Sequence, residues 1–278
     1  MKVGVFSDTN WSMGRVYKDV AKNIPEWTFK YMNWSIPWTI EEIKEFYNSC
    51  DVVIVNLASI GVTLPHIDTN KTIFVSHGFE ENQRLILNSN FIYGMTSNSI
   101  RSMFPADANV FLMPNGVNHT EFDYREHDGT INEIGWCGVP NVWYKQANWA
   151  VEIAKHSTTP IKITSKTSCE HDFSKWSSLS YEEVRKWYET IDLLLITSIP
   201  GNSKYETGPL PAFEAIVSGV PVIGTPVGNF SLIPGPKFKT IEEGVEIVNR
   251  LKQNPEEVKQ LAKDQYDYVM KHFTYESM

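Results

Sequence analysis

Short apolar runs alternate with segments of helical period along nearly the whole chain, the signature of parallel strands joined by helices. The run at 3–6 precedes a stretch in which Val16, Val20 and Ile24 recur every four residues and give a helix one buried face. Ile40, Ile43, Phe46 and Tyr47 repeat that pattern ahead of a strand at 52–55. A strand at 73–75 ends at Ser76-His77-Gly78, and shorter units at 91–95 and 110–113 close on the turn Pro114-Asn115-Gly116. Residues 118–132 are polar and charged and read as a linker. Beyond them the alternation restarts, with strands at 134–138, 161–164, 192–197 and 222–223. Helices are predicted at 146–155, at 181–189 and after Gly208-Pro209, and two more finish the chain, the second opening at Pro255. Pro209 suits a first helical turn, where its missing N–H costs nothing. Two α/β halves meeting near residue 120 follow, with a crevice between them as the natural ligand site.

Composition narrows the function. A chain of 278 residues with 42% hydrophobic and 21% charged residues can build such halves, and is neither disordered nor collagen-like. Its net charge of −8 argues against a protein that coats nucleic acid. Cys50, Cys137 and Cys169 form no C-x-x-C pair, so neither a zinc site nor a disulfide framework is expected, in keeping with a reducing compartment. The first residues read as a strand rather than a signal peptide, and no apolar run approaches the roughly 18–20 residues that span a bilayer. The sequons at Asn10, Asn33, Asn70, Asn118 and Asn229 are then chance, and a cytoplasmic location is expected.

Several chemistries lack their motifs. There is no G-x-G-x-x-G after the first strand, no P-loop, no H-E-x-x-H, no G-x-S-x-G, and no Asp-x-Asp pair to hold a divalent cation under a diphosphate. What stands out is the stretch 205–228, where Glu206 and Glu214 are spaced E-x7-E across a Gly-Pro loop that opens a helix. Backbone amides of Thr207, Gly208 and Leu210 at such a helix start can bind an anion without a metal, and a carboxylate beside them suits sugar or ribose hydroxyls. The same spacing also fits two solvated glutamates at a helix end.

The stretch closely resembles the donor site of glycosyltransferase family 4, retaining enzymes of GT-B architecture. The likeness continues through Glu214-Ala-Ile-Val-Ser-Gly219-Val-Pro221-Val-Ile-Gly224 to Gly228. It extends to the turn Met113-Pro-Asn-Gly-Val-Asn-His-Thr-Glu-Phe122 and to the closing Lys271-His-Phe-Thr-Tyr-Glu276. The resemblance implies two Rossmann-like domains with parallel sheets facing across a crevice. Residues 1–120 would be the acceptor side, 121–262 the nucleotide-sugar-binding domain, and 263–278 a C-terminal helix packing back on the first domain.

By the same resemblance Glu206 holds hydroxyls of the transferred sugar and Glu214 holds the ribose. The loop Thr207-Gly208-Pro209-Leu210 borders the donor, and the family's diphosphate-gripping Gly-Arg-x5-Lys element falls on Gly138, Val139 and Lys145. Val139 stands where the family has Arg. His77 falls where the family's histidine faces the donor, and Gly14 lies on the first loop, where backbone amides approach it. Without the resemblance, Lys145 reads equally as a surface lysine and His77 as a strand-end residue. Trp11, Trp34 and Trp38, three of nine tryptophans, are core residues or a sugar-stacking cluster.

The expectation is a metal-independent hexosyltransferase that moves a sugar, with retention, from a nucleotide diphosphate donor to a hydroxyl of a glycan or similar acceptor. A UDP-sugar ranks ahead of a GDP-sugar, and no cofactor beyond this substrate is expected. A nucleotide-sugar-binding protein without strong catalysis, a sugar-nucleotide epimerase of the same architecture, and a hydroxylated nucleobase in DNA as acceptor stay open.

Overall fold

The computed structural model describes residues 1–8, 12–56, 67–78, 90–165, 176–200 and 205–276; Asn10, Trp11 and Cys169 lie outside them. Contacts divide the chain into two compact units, Met1–Asn115 and Gly116–Met278.

The first unit carries β1 (Lys2–Ser7), α1 (Ser12–Asn23), β2 (Thr28–Asn33), α2 (Ile40–Asn48), β3 (Val52–Asn56), β4 (Thr72–Ser76), β5 (Ile92–Met95) and β6 (Asn109–Leu112). Its sheet is parallel throughout, in the order β2-β1-β3-β4-β5-β6. The order reverses between β1 and β3, so the carboxyl ends of those strands open the crevice where such sheets bind ligands. Helix α2 starts where expected because Thr39 and Glu42 form a reciprocal capping box. Strand β2 was not expected: it is an edge strand with Met32 as its one buried side chain, so it carries little hydrophobic pattern. Trp34 and Trp38 pack, half-buried, on the core of this unit.

The second unit carries β7 (Ile134–Cys137), α3 (Ala147–His156), β8 (Ile161–Thr164), β9 (Trp176–Ser177), α4 (Tyr181–Tyr188), β10 (Leu193–Ile196), α5 (Leu210–Val217), β11 (Val222–Gly224), α6 (Ile241–Gln253) and α7 (Pro255–His272). Its sheet is also parallel, in the order β11-β10-β7-β8-β9. Here the reversal falls between β7 and β10. Strand β10, Leu-Leu-Leu-Ile, is buried along its whole length, as a central parallel strand must be.

The stretch read as a linker is part of this unit. Phe122 and Ile131 are buried, and Phe122 packs its ring against Tyr181 and Tyr188. Two well-placed apolar residues tie the polar segment down. Val117 bridges to Thr274, and its N–H donates to the Phe273 carbonyl at 2.8 Å, so the start of the unit is stitched to its end. Helix α7 is docked by Gln265, fully buried, whose amide exchanges hydrogen bonds of 2.7 and 2.8 Å with the backbone of Val222. The side chain thus stands in for a further strand at the edge of β11. Pro209 is the N-cap of α5 rather than a first-turn residue; Pro211 occupies the first turn.

Candidate active site

In the second unit the side chains of interest surround the carboxyl ends of β7 and β10. Thr197, one residue past β10, arranges them. Its hydroxyl lies 2.9 Å from the carbonyls of both Lys145 and Gln146, and it accepts the indole N–H of Trp136 at 2.9 Å. The Ile199 N–H donates to the Tyr144 carbonyl at 2.8 Å. These bonds fasten the loop after β7 to the end of β10. The loop enters α3 through Gln146, which adopts a left-handed conformation with φ 49°. For a residue other than glycine this conformation costs about 1–2 kcal/mol.

So placed, Lys145 meets Glu206, 61 residues away, in an ion pair through Nζ and Oε2. Ser198 donates to the same carboxylate oxygen at 3.2 Å. Glu206 is buried, with its side chain 9% exposed against 22% for Lys145. Burial opposes the charge on Lys145, but the Glu206 carboxylate and the neighbouring Tyr144 outweigh it and hold its pKa above the ordinary value.

Glu214, in the second turn of α5, is also buried and accepts the Tyr188 hydroxyl at 2.9 Å. Burial, then the Glu214 charge, push the Tyr188 pKa well above 10, so the phenol stays a donor. Cys137, at the end of β7, interacts with both Lys145 and Tyr188, which brings the two glutamates' partners around one strand end.

Thr207, Gly208 and Pro209 are buried and Leu210 half-buried. The loop they form is backed by Gly228, whose positive φ of 43° and missing side chain let its backbone touch the carbonyls of Glu206 and Thr207. The Asn229 N–H donates to the Thr207 carbonyl at 2.8 Å. Among the described residues the amides of Gly208 and Leu210 have no acceptor, as expected for the open start of a helix with no side-chain cap. Gly138 has a structural role: its N–H donates to the Thr164 carbonyl at 3.1 Å, and an added Cβ would lie 2.9 Å from the Trp136 indole.

In the first unit His77 follows β4, half-buried, with Nε2 on Oδ1 of Asn56. Asn56, fully buried at the end of β3, donates to the Ser7 hydroxyl at 2.9 Å. Its Oδ1 therefore faces His77 and places the ring proton on Nε2. Burial lowers the His77 pKa to about 4. Sequence reading missed Asn56, although a polar residue closing the apolar run of β3 at a strand's carboxyl end was a usable signal. Gly14, expected on the loop after β1, lies instead inside the first turn of α1 and is buried. The helix starts two residues before it.

Among the described residues no group of three or more His, Cys, Asp or Glu side chains is placed to hold a metal ion. No helix among them is long and apolar enough to cross a membrane.

No protein-family model matches the chain, and no curated protein matches it. Solved structures do. Anabaena HepE, in a structure with UDP-glucose, superposes with a TM-score of 0.77 at 12% identity, covering 100% of this chain and 96% of that one. AviGT4, a glycosyltransferase involved in avilamycin A biosynthesis, gives 0.62 at 15% identity, covering 97% and 94%. The lipopolysaccharide outer core galactosyltransferase WaaB gives 0.60 at 13% identity, covering 97% and 96%. At these identities the likeness establishes the fold: two separate units, each a parallel sheet with helices, as in GT-B glycosyltransferases.

Proposed function

We propose that the chain is a retaining glycosyltransferase that takes a sugar from a nucleotide diphosphate donor, a UDP-sugar ahead of a GDP-sugar, to a hydroxyl of a glycan or similar acceptor. The observation that carries this reading is the meeting of Lys145 and Glu206 at the strand-order reversal of the second sheet, with Glu214 buried nearby. A cation, an acceptor of hydroxyl hydrogen bonds and open helix amides are the three groups a sugar diphosphate requires. The UDP-glucose bound to HepE, a protein of this fold, supports that choice of ligand.

In this mechanism the diphosphate takes the charge of Lys145 and the amides of Gly208 and Leu210, and Glu206 turns to the sugar hydroxyls. Each partner of the ion pair thus has its ligand contact prepared by a contact it already makes. Glu214, fixed by Tyr188, holds the ribose. The acceptor oxygen bonds to the anomeric carbon on the face from which the diphosphate leaves. The anomeric C–O bond breaks, its electron pair stays on the β-phosphate, and that phosphate takes the acceptor proton. Lys145 and the helix start offset the charge that develops on the leaving group.

The test is turnover of UDP-glucose and GDP-sugars, with nucleotide release as readout and water as the minimal acceptor. UDP release should persist in excess EDTA, and Glu206→Gln should lower it about 100-fold or more with UDP affinity little changed. Glu214→Ala should weaken UDP binding by about 1.5–3 kcal/mol. A wild-type protein that binds neither UDP nor GDP, or whose turnover is abolished by EDTA and restored by Mg²⁺ or Mn²⁺, would overturn the proposal.

A further inference from the structure

Beside the Lys145–Glu206 pair stands an aromatic cluster that the proposed donor contacts leave unused. The rings of Tyr144 and Tyr205 stack, with centroids 5.6 Å apart and planes 19° from parallel. Trp143 stands edge-on to both, 5.8 Å and 90° from Tyr144 and 5.2 Å and 73° from Tyr205. Trp143 is nevertheless 55% exposed. The cluster adjoins the pair on both sides: the Lys145 ammonium lies 5.8 Å from the Tyr144 ring centre, and Tyr205 immediately precedes Glu206.

An indole left in water forfeits much of the stabilisation its burial would bring. Here the backbone that carries it is fastened, and its ring rests against Tyr144 and Tyr205. The Trp143 carbonyl accepts the Gln146 side-chain amide at 2.8 Å, the Lys145 N–H donates to the Val142 carbonyl at 2.9 Å, and the loop is pinned to β10 through Thr197 and Ile199. A rigid, exposed aromatic face loses little entropy when a ligand is laid on it. A pyranose ring presents an apolar C–H face, and the exposed indole offers an aromatic face to match it.

We propose that Trp143, braced by Tyr144 and Tyr205, is a stacking subsite for a pyranose ring of the acceptor glycan. This rests on the assignment of Lys145 and Glu206 to the donor. Those two groups are the buried end of the site and take the diphosphate and the transferred sugar. Trp143 is its exposed end and meets the sugar that lies beyond.

The experiment measures binding of maltotriose, cellotriose and chitotriose to the full chain by ligand-observed NMR, with a parallel UDP titration of the wild type. At least one trisaccharide should bind the wild type. Trp143→Ala should lower its affinity at least tenfold at an unchanged melting temperature, and Trp143→Phe should restore it to within about threefold. If no trisaccharide binds the wild type, or if Trp143→Ala binds as the wild type does, the subsite is overturned. If UDP fails to bind while Trp143-dependent sugar binding stands, the donor assignment fails and the stacking site does not.

Discussion

Lys145 and Glu206 neutralise each other where little water reaches the carboxylate. Removing either partner leaves the other's charge under-compensated in a partly buried place, which is where single substitutions become costly. Lys145→Met and Glu206→Gln should each lower the free energy of unfolding by about 1.5–3 kcal/mol, the range for a hydrogen bond to a charged group. The double variant should cost clearly less than the sum, because it removes both charges together. Urea denaturation of the four proteins reads this directly, and strictly additive losses would mean that the pair contributes nothing as a pair. Lys145 and Glu206 were both legible in the sequence as separate candidates. Their contact was not, since nothing in residues 138–146 or 205–214 by themselves says that β10 lies beside β7.

At the scale of elements, the segment after Gly116 is clamped to the start of β10 by a histidine held neutral. His127 accepts the Gly129 N–H on Nδ1 at 3.0 Å, so Nε2 carries the proton and lies 2.8 Å from the Asp192 carbonyl. The Asp192 carboxylate accepts the N–H groups of Asn132 and Glu133 at 2.8 and 3.0 Å, closing the clamp. Burial lowers the His127 pKa, outweighing the nearby Asp192. The unfolded chain therefore binds this proton more readily than the folded one. Its contribution to stability is fully present above the ordinary histidine pKa of about 6.5 and is lost as pH falls from there through the folded value. His77, lowered to about 4, acts in the same direction between about pH 6.5 and 4. The urea midpoint of the unit that holds His127 should thus fall between pH 7 and pH 5, and His127→Gln should flatten that fall. An equal slope in the variant would remove His127 from the clamp's pH dependence.

At the scale of the whole molecule, each buried core cluster among the described residues is drawn from one unit alone. Domains with their own cores can unfold as separate cooperative units. Calorimetry should resolve two transitions, and UDP should raise only the one belonging to residues 116–278, which contain Lys145, Glu206 and Glu214. At a hundredfold excess over its dissociation constant the gain is about 2.7 kcal/mol. A single transition that UDP shifts as a whole would show that the two units unfold together.

Short-range periodicity makes a large part of the fold legible along the chain. The strands β1, β3, β4, β7 and β10 announce themselves as apolar runs, and helices α1 and α2 as repeats of three to four residues, because burial on both faces or on one leaves that imprint. The loop and helix from Glu206 to Gly228 were equally readable, since the turn chemistry of Gly and Pro and the spacing of two carboxylates are written locally. The remainder depends on contacts between residues far apart in the chain. Strand β2 is made by hydrogen bonds to β1 rather than by its own side chains. The 118–132 segment is folded because Phe122 and Ile131 find a core that residues 134–273 build. Asn56 orients His77 because β3 and β4 are neighbours, and Lys145 reaches Glu206 because the strand order reverses between β7 and β10. Pairings over 21 and 61 residues depend on how strands are ordered, and no local repeat encodes that order.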